Sequence, residues 1–431
     1  MINPTSALNL VLMLMVATTT LTAQYSGTGS VSQGRATTTQ QNVYSCPKGR
    51  VTNIGTIVAK DGTTWTMPAV THFSDPTFPK SSDLHNACTG VNHTTSAQAV
   101  AALSPSNIVT IDPDGELITC FIFADNYFEM AINGVPVGKD NVPYTQFNSS
   151  LLQFRVKRPF TVAIHAVDWE ENLGLGTELS GSPYHAGDGG VVAVFRDEKG
   201  AIIATTNNAW KAQTFYTAPI YDLACPREEG QARLTSACST ADVADGSNAY
   251  ALHWPLPSNW MAKDLDDSQW PRASEFTNQT VGVDNKPAYM NFTDVFDNPS
   301  ADAKFIWSSS LILDNEILLR TIVPGTTSVN DFDDESSLDL EASDGVVVVH
   351  ANSRAGHLSA ELIALDGSRV VTADGEGAIE VRTSTLADGV YLLHVRGTGV
   401  QTRWLLNLHQ GVCRARADYM EVLFTQRDGA H

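Results

Sequence analysis

The chain has 431 residues, with 27 Lys and Arg against 47 Asp and Glu, a formal net charge of −20 on only 17% charged residues. That length accommodates two or three domains, and 42% hydrophobic residues can fill their cores, which excludes wholesale disorder. Phosphate contacts need clustered Lys and Arg, so the acidic balance excludes nucleic acid as the default partner.

Ala7–Val16 is an apolar run, followed by small residues as far as Ala23 and then Gln24. It is shorter than the roughly 20 residues of a membrane span and reads as a signal peptide over 1–23, although no Lys or Arg precedes it. No later apolar run reaches spanning length, so the mature chain is expected to have no transmembrane segment and to be secreted or at the cell surface. Residues 24–45 are polar and of low complexity and read as a flexible leader.

From 46 to 325 short apolar runs alternate with turn signals. They are Val51–Val58, Leu117–Ala124, Tyr127–Ile132, Leu151–Val156, Phe160–Val167, Val191–Phe195, Phe305–Leu313 and Glu316–Val323. Their β-branched and aromatic content predicts strands, and no long amphipathic helix interrupts them. In Tyr127–Ile132 the alternation puts Tyr127, Glu129 and Ala131 on one face and Phe128, Met130 and Ile132 on the other. Asn133-Gly134 then supplies the positive φ of a tight hairpin turn. An all-β sandwich follows. Residues 326–344 are an acidic linker with no base between Arg320 and Arg354. Residues 345–409 form a second, small β unit, and 410–431 a tail.

An exported chain permits disulfides. Of the six cysteines, Cys225 and Cys238 flank a polar loop and are the first candidate bridge, and Cys46 with Cys88 the second. Cys413 sits in the tail with no evident partner.

The stretch Phe123-Ala-Asp-Asn-Tyr-Phe-Glu-Met-Ala-Ile-Asn-Gly-Val-Pro-Val-Gly138 resembles a strand and hairpin of the galactose-binding-like jelly-roll sandwich. So do Trp210-Lys-Ala and Trp260-Met-Ala-Lys-Asp-Leu-Asp-Asp-Ser-Gln-Trp270-Pro-Arg-Ala. The resemblance implies a large jelly-roll sandwich over 46–325, including an N-terminal extension, that binds carbohydrate without catalysis. Leu365-Asp-Gly-Ser-Arg-Val, Leu386-Ala-Asp-Gly-Val-Tyr-Leu-Leu and Trp404-Leu-Leu-Asn-Leu are similar to the C-terminal sorting domain of type IX secretion cargo in Bacteroidota. This second resemblance implies a small Ig-like sandwich and the secretion machinery as a partner. Asn352-Ser-Arg stands where that pattern has Pro-Asn-Pro, and the chain continues past the last strand.

The candidate ligand residues lie in two loops: Asp168, Trp169, Glu170 and Glu171, then Tyr184, His185 and Asp188 before Gly189-Gly190. An aromatic face beside carboxylates is what a saccharide needs, one for C–H stacking and the other to accept from hydroxyls. The same residues also suit a bland reading, with Trp169 in the core and the acids in solvated turns. A pair of carboxylates between Asp168 and Glu178 could instead serve as acid and base in a glycan-active hydrolase. A structural or adhesive envelope protein is the third reading. No cofactor is expected beyond a structural calcium that could use Asp112 and Asp114.

Overall fold

The computed structural model describes residues 25–144, 146–178, 184–242, 247–325, 338–343, 346–351, 357–364, 368–397, 400–409 and 412–416. The expected signal peptide, the linker as far as 337, the turn at Asp366-Gly367 and the chain from 417 lie outside them. The chain divides into two compact units, 1–326 and 327–431.

Alternation builds the first unit as an antiparallel sandwich. Phe128, Met130 and Ile132 enter the main core, while Ala131 and Tyr127 join clusters on the opposite face. Asn133 (φ 50°) and Gly134 (φ 87°) form the turn, after which Val135–Lys139 pairs back with Val135 opposite Ile132. The seven-stranded sheet runs Ser30–Gln33, Tyr250–His253, Lys211–Ile220, Asp314–Val323, Phe160–Val167, Tyr127–Ile132, Val135–Lys139. The facing nine-stranded sheet runs Ser274–Phe276, Phe305–Trp307, Gly190–Arg196, Glu116–Asp125, Asn148–Val156, Ser82–Asn86, Val91–Asn92. Ile202–Thr205 pairs with Gly190–Arg196, and Ile108–Thr110 lies parallel to Asn148–Val156. Phe123, Phe154, Phe160, Ile164, Val192 and Leu319 fill the space between the layers. Each such side chain contributes about 1.5–3 kcal/mol on burial.

Three expectations change. The leader is not a free tail: Ser30–Gln33 pairs with Tyr250–His253, and Thr37–Tyr44 with Thr52–Val58. Its Thr-rich polarity suits an edge strand with one wet face. Lys211–Ile220, unrecognised in the sequence beyond its first residues, lies inside the seven-stranded sheet. Phe305–Leu313 is a strand only to Trp307; a turn follows, in which the Ser308 hydroxyl donates to Asp314 at 2.6 Å.

The outer face of the seven-stranded sheet is also covered. Trp254, Trp260 and Trp270 pack on Ala131, Ala163, Phe215 and Leu318. Buried Arg320 holds the Trp260–Trp270 loop in place: Nε donates to Asp267 Oδ2 (2.8 Å), Nη1 to the Trp260 carbonyl (2.8 Å) and Nη2 to the Ala262 carbonyl (3.0 Å).

The second unit is a smaller sandwich. Leu338–Ser343, Val346–Ala351 and Ala378–Arg382 form one sheet; Arg369–Glu376, His357–Ala364, Gly389–Gly397, Val400–His409 and Val412–Arg416 form the other. Val347, Val349, Ile379 and Val381 share a core with Leu358, Leu362, Leu393 and Leu406. The tail begins as the strand Val412–Arg416, in which Cys413 stands opposite Leu408.

Both expected disulfides form, Cys46–Cys88 and Cys225–Cys238. They fit an oxidising, extracellular setting. Cys120 is a buried free thiol. Among the described residues no helix is long and apolar enough to cross a membrane.

Candidate functional site

The site lies at one edge of the sandwich, where the chain steps between layers. Asp125 ends the strand Glu116–Asp125 of one sheet, and Tyr127 begins Tyr127–Ile132 of the other. Asp125-Asn126 is therefore the bridge. Val167 pairs with Tyr127, which puts Asp168, the next residue, at the same edge. Gly190 pairs with Asp125, which brings Asp188 there from the other sheet. Glu178 arrives on a two-residue strand opposite His185. Gly187 allows the close approach, because a Cβ there would stand 2.7 Å from Asp168 Oδ2.

Burial and mutual repulsion set the charges. Asp125 and Asp168 are each held well above the usual carboxylate range, first by burial and then by neighbouring acids. For Asp125 these are Asp188 and Glu178; for Asp168 they are Glu178, Asp125 and Asp188. Asp125 Oδ1 accepts from Asn126 Nδ2 at 2.8 Å, whereas Asp168 Oδ1 is buried with no hydrogen-bond partner among the described residues. Such an oxygen is costly unless something outside the protein meets it. Asp188, half-buried, is raised to about 6 by burial and by Glu178, against the pull of Lys286. Arg50 frames the edge, donating to Glu178 Oε2 (2.7 Å) and to the Tyr144 hydroxyl (2.9 Å), with Glu171 at 3.8 Å.

The residues picked from sequence thus divide. Asp168 and Asp188 come within electrostatic reach of each other; His185, on the strand opposite Glu178, and Tyr184, just before that strand, are half-buried. Trp169 is not a stacking platform: it is fully buried, edge-on to Phe73 and Tyr127, and its Nε1 donates to the Asn53 carbonyl at 3.1 Å. Glu170 also turns inward, accepting from the Tyr216 hydroxyl (2.9 Å) and the Gly174 amide, and burial pushes it up to about 8. Glu171 stays near Arg50. Asp112 accepts from the Lys157 amide (2.8 Å), and the Lys157 ammonium stands 2.5 Å from Asp114. Trp169→Phe keeps the ring packing and loses the bond to Asn53; it is expected to cost about 1–3 kcal/mol in a urea titration and to leave ligand binding unchanged.

Asp125, Asn126, Arg50 and Lys286 were missed. Asp125-Asn126 carried a usable signal, two polar residues between apolar strands. Arg50 and Lys286 reach the edge only through the fold.

A second polar network crosses the outer face of the seven-stranded sheet. His72 Nδ1 lies 2.8 Å from Glu129 Oε2, His165 lies 3.5 Å from the same oxygen, and its Nε2 is 2.9 Å from Glu316 Oε1. The Tyr127 hydroxyl donates to Glu129 Oε1 at 2.9 Å. Burial alone would raise Glu129, but the bonds and charges of His165 and His72 outweigh it and bring it down to about 2. Burial likewise opposes the charged form of His165, and Glu129 and Glu316 outweigh it, raising it to about 9. Lys139 completes the clasp, donating to the carbonyls of His72 and Asp75, each at 2.6 Å. This network ties residues 72–75 to the sheet. Among the described residues no three His, Cys, Asp or Glu side chains converge to hold a metal ion.

No protein-family model and no curated protein matches the chain. Among solved structures, it is similar to the apo form of a Pleurotus ostreatus lectin at 11% identity, over 70% of this chain and 77% of that one, with a TM-score of 0.20. It is also similar to a β-D-glucuronidase of Dictyoglomus thermophilum (10% identity, 90% and 45% covered, TM-score 0.15). A Faecalibacterium prausnitzii β-glucuronidase gives 10% identity, 88% and 45% covered, and a TM-score of 0.16. The chain spans less than half the length of these glucuronidases.

Proposed function

We propose that the first unit is a carbohydrate-binding sandwich that takes its ligand at the Asp125–Asp168–Asp188 edge, in a protein exported to the cell surface or beyond. The observation that carries this reading is the buried Asp168 Oδ1, without a partner among the described residues and within electrostatic reach of half-buried Asp188, at the step between the two layers. Carboxyl groups that differ in protonation offer what vicinal hydroxyls need, since a neutral acid donates and accepts while a carboxylate only accepts. Lys286 and Arg50 limit the repulsion without cancelling it. With Trp169 inside, recognition rests on hydrogen bonds, and Tyr184 is the aromatic nearest in sequence to the edge residues His185 and Asp188.

Export through a type IX-like route belongs to the same proposal. It is supported by the sequence likeness of 345–409 and by the two disulfides. A calcium at Asp112 and Asp114 would have to displace Lys157.

A glycan array tests the reading. Saturable binding to a polysaccharide that Asp188→Asn weakens at least about tenfold, the worth of one charged hydrogen bond, supports it. Absence of binding to every glycan sinks it. Release of reducing sugar by the parent, lost in Asp168→Asn, would replace it with the hydrolase.

A further inference from the structure

The carboxyl groups of the acidic edge are not equivalent, and one amide side chain sets them apart. Asn126 is buried between two groups that can bond to it in one way only. The Trp169 backbone amide stands 2.7 Å from one end of its side chain, and Asp125 Oδ1 stands 2.8 Å from the other. A backbone N–H can only donate, so the end facing Trp169 is the carbonyl oxygen. The other end is then the NH2 group, which also can only donate, and Asp125 Oδ1 has to accept from it. A hydrogen bond donated to a carboxylate favours its charged form.

Asp168 receives no such help. Its backbone is pinned on both sides, its own amide donating to the Asn315 carbonyl (2.8 Å) and the next one, of Trp169, to Asn126 (2.7 Å). Its carboxyl group is buried, and Oδ1 has no hydrogen-bond partner among the described residues. The surrounding charges differ in the same sense. Around Asp125, Lys286 and Arg50 work against the repulsion of Asp188 and Glu178. The groups that act most on Asp168 are all acids: Glu178, Asp125, Asp188 and Glu170. A buried charge without donors costs far more than a buried neutral carboxyl group.

We propose that Asn126 is the positioning residue of this edge, fixing Asp125 as the carboxyl group that ionises first and leaving Asp168 as the one that keeps its proton. As pH rises, Asp125 releases its proton to water and becomes the full acceptor of the Asn126 amide. Asp168 stays neutral until higher pH, because the charge on Asp125 adds to the repulsion it already feels. The same amide holds the Trp169 backbone, so it fixes both the place of Asp168 and the charge beside it. That this order would give a saccharide one donor and several acceptors rests on the carbohydrate reading above; the order itself needs no ligand.

The experiment is an NMR titration of the full chain, carbon-13 labelled at the aspartate carboxyl groups, from about pH 4 to about pH 9 with no glycan present. The two resonances are assigned by their loss in Asp125→Asn and in Asp168→Asn. Asp125 ionises at least about one pH unit below Asp168, and the Asn126 side-chain amide resonance moves with it. Asn126→Asp keeps an acceptor for the Trp169 amide and removes the donor to Asp125, so it raises Asp125 by about one unit or more and closes or inverts the gap. Asp188→Asn lowers both and keeps their order, since Asp188 repels each of them. If Asn126→Asp does not fold, the response of the Asn126 amide in the parent carries the test. Asp168 ionising first or together with Asp125, an Asn126 amide that ignores the ionisation of Asp125, or an unchanged gap in folded Asn126→Asp overturns the proposal. Failure of the chain to bind any glycan would sink the carbohydrate reading and leave this titration as it is.

Discussion

Replacing Glu129 with Gln lowers the unfolding free energy of the first unit by about 3–5 kcal/mol, as removing one partner from a buried ion-pair network does. Glu129 is fully buried and shared by His72, His165 and Tyr127, so its loss leaves the buried His165 imidazole with Glu316 as its one remaining bonded carboxylate among the described residues. A urea titration near pH 6 measures the effect, and a change below about 1 kcal/mol, the range of an exposed pair, would show that the network is solvated.

The pH dependence follows from the shifts. Glu129, depressed to about 2 from 4.5, contributes stability that is present above the unfolded value and lost as pH falls through about 2. His165, raised to about 9 from 6.5, contributes stability that is full below the unfolded value and lost as pH rises through about 9. Asp140 and Glu170, each raised to about 8 by burial, act in the same direction as His165, because their folded forms hold protons that the unfolded chain has released. The parent is therefore more stable at pH 5 than at pH 8. The cost of Glu129→Gln is greatest between about pH 4.5 and 6.5 and shrinks toward pH 9.

Arg320→Met is expected to cost a similar 3–5 kcal/mol. Met fills much of the volume and supplies none of the donors, so the carbonyls of Trp260 and Ala262 and the Asp267 carboxylate lose their partner together. The Trp260–Trp270 loop should then loosen first, which hydrogen exchange reads as faster exchange of the Ala262 amide, now bonded to the Asn259 carbonyl. Unchanged stability would mean that Trp260 and Trp270 hold the loop without the guanidinium.

What the sequence made legible was local. The hairpin at Asn133-Gly134 was readable because a period-two pattern and a turn dipeptide need no distant partner. Lys211–Ile220 was not, because Thr214 and Thr217 sit at buried positions that look wrong until Asp314, about a hundred residues away in sequence, accepts from both. The same limit divided the candidate site. A Trp among carboxylates before a Gly-Gly turn pointed to these loops, but past the end of a strand no alternation fixes which side chains point inward. Trp169 and Glu170 turned in, and Asp168, also buried, came within electrostatic reach of Asp188. Asp125 lay just past the expected strand Leu117–Ala124, and only its pairing with Gly190 shows that it shares their edge.

The claim that hydroxyls are held at this edge is tested most directly by titrating the best glycan ligand across pH 5 to 8. Asp188 ionises at about 6, and its carboxylate is the stronger acceptor, so affinity should rise with pH through that value. In Asp188→Asn the rise should vanish along with most of the affinity. Affinity that is flat or falls across this range in the parent, or a rise that persists in Asp188→Asn, would contradict a ligand held by this carboxylate.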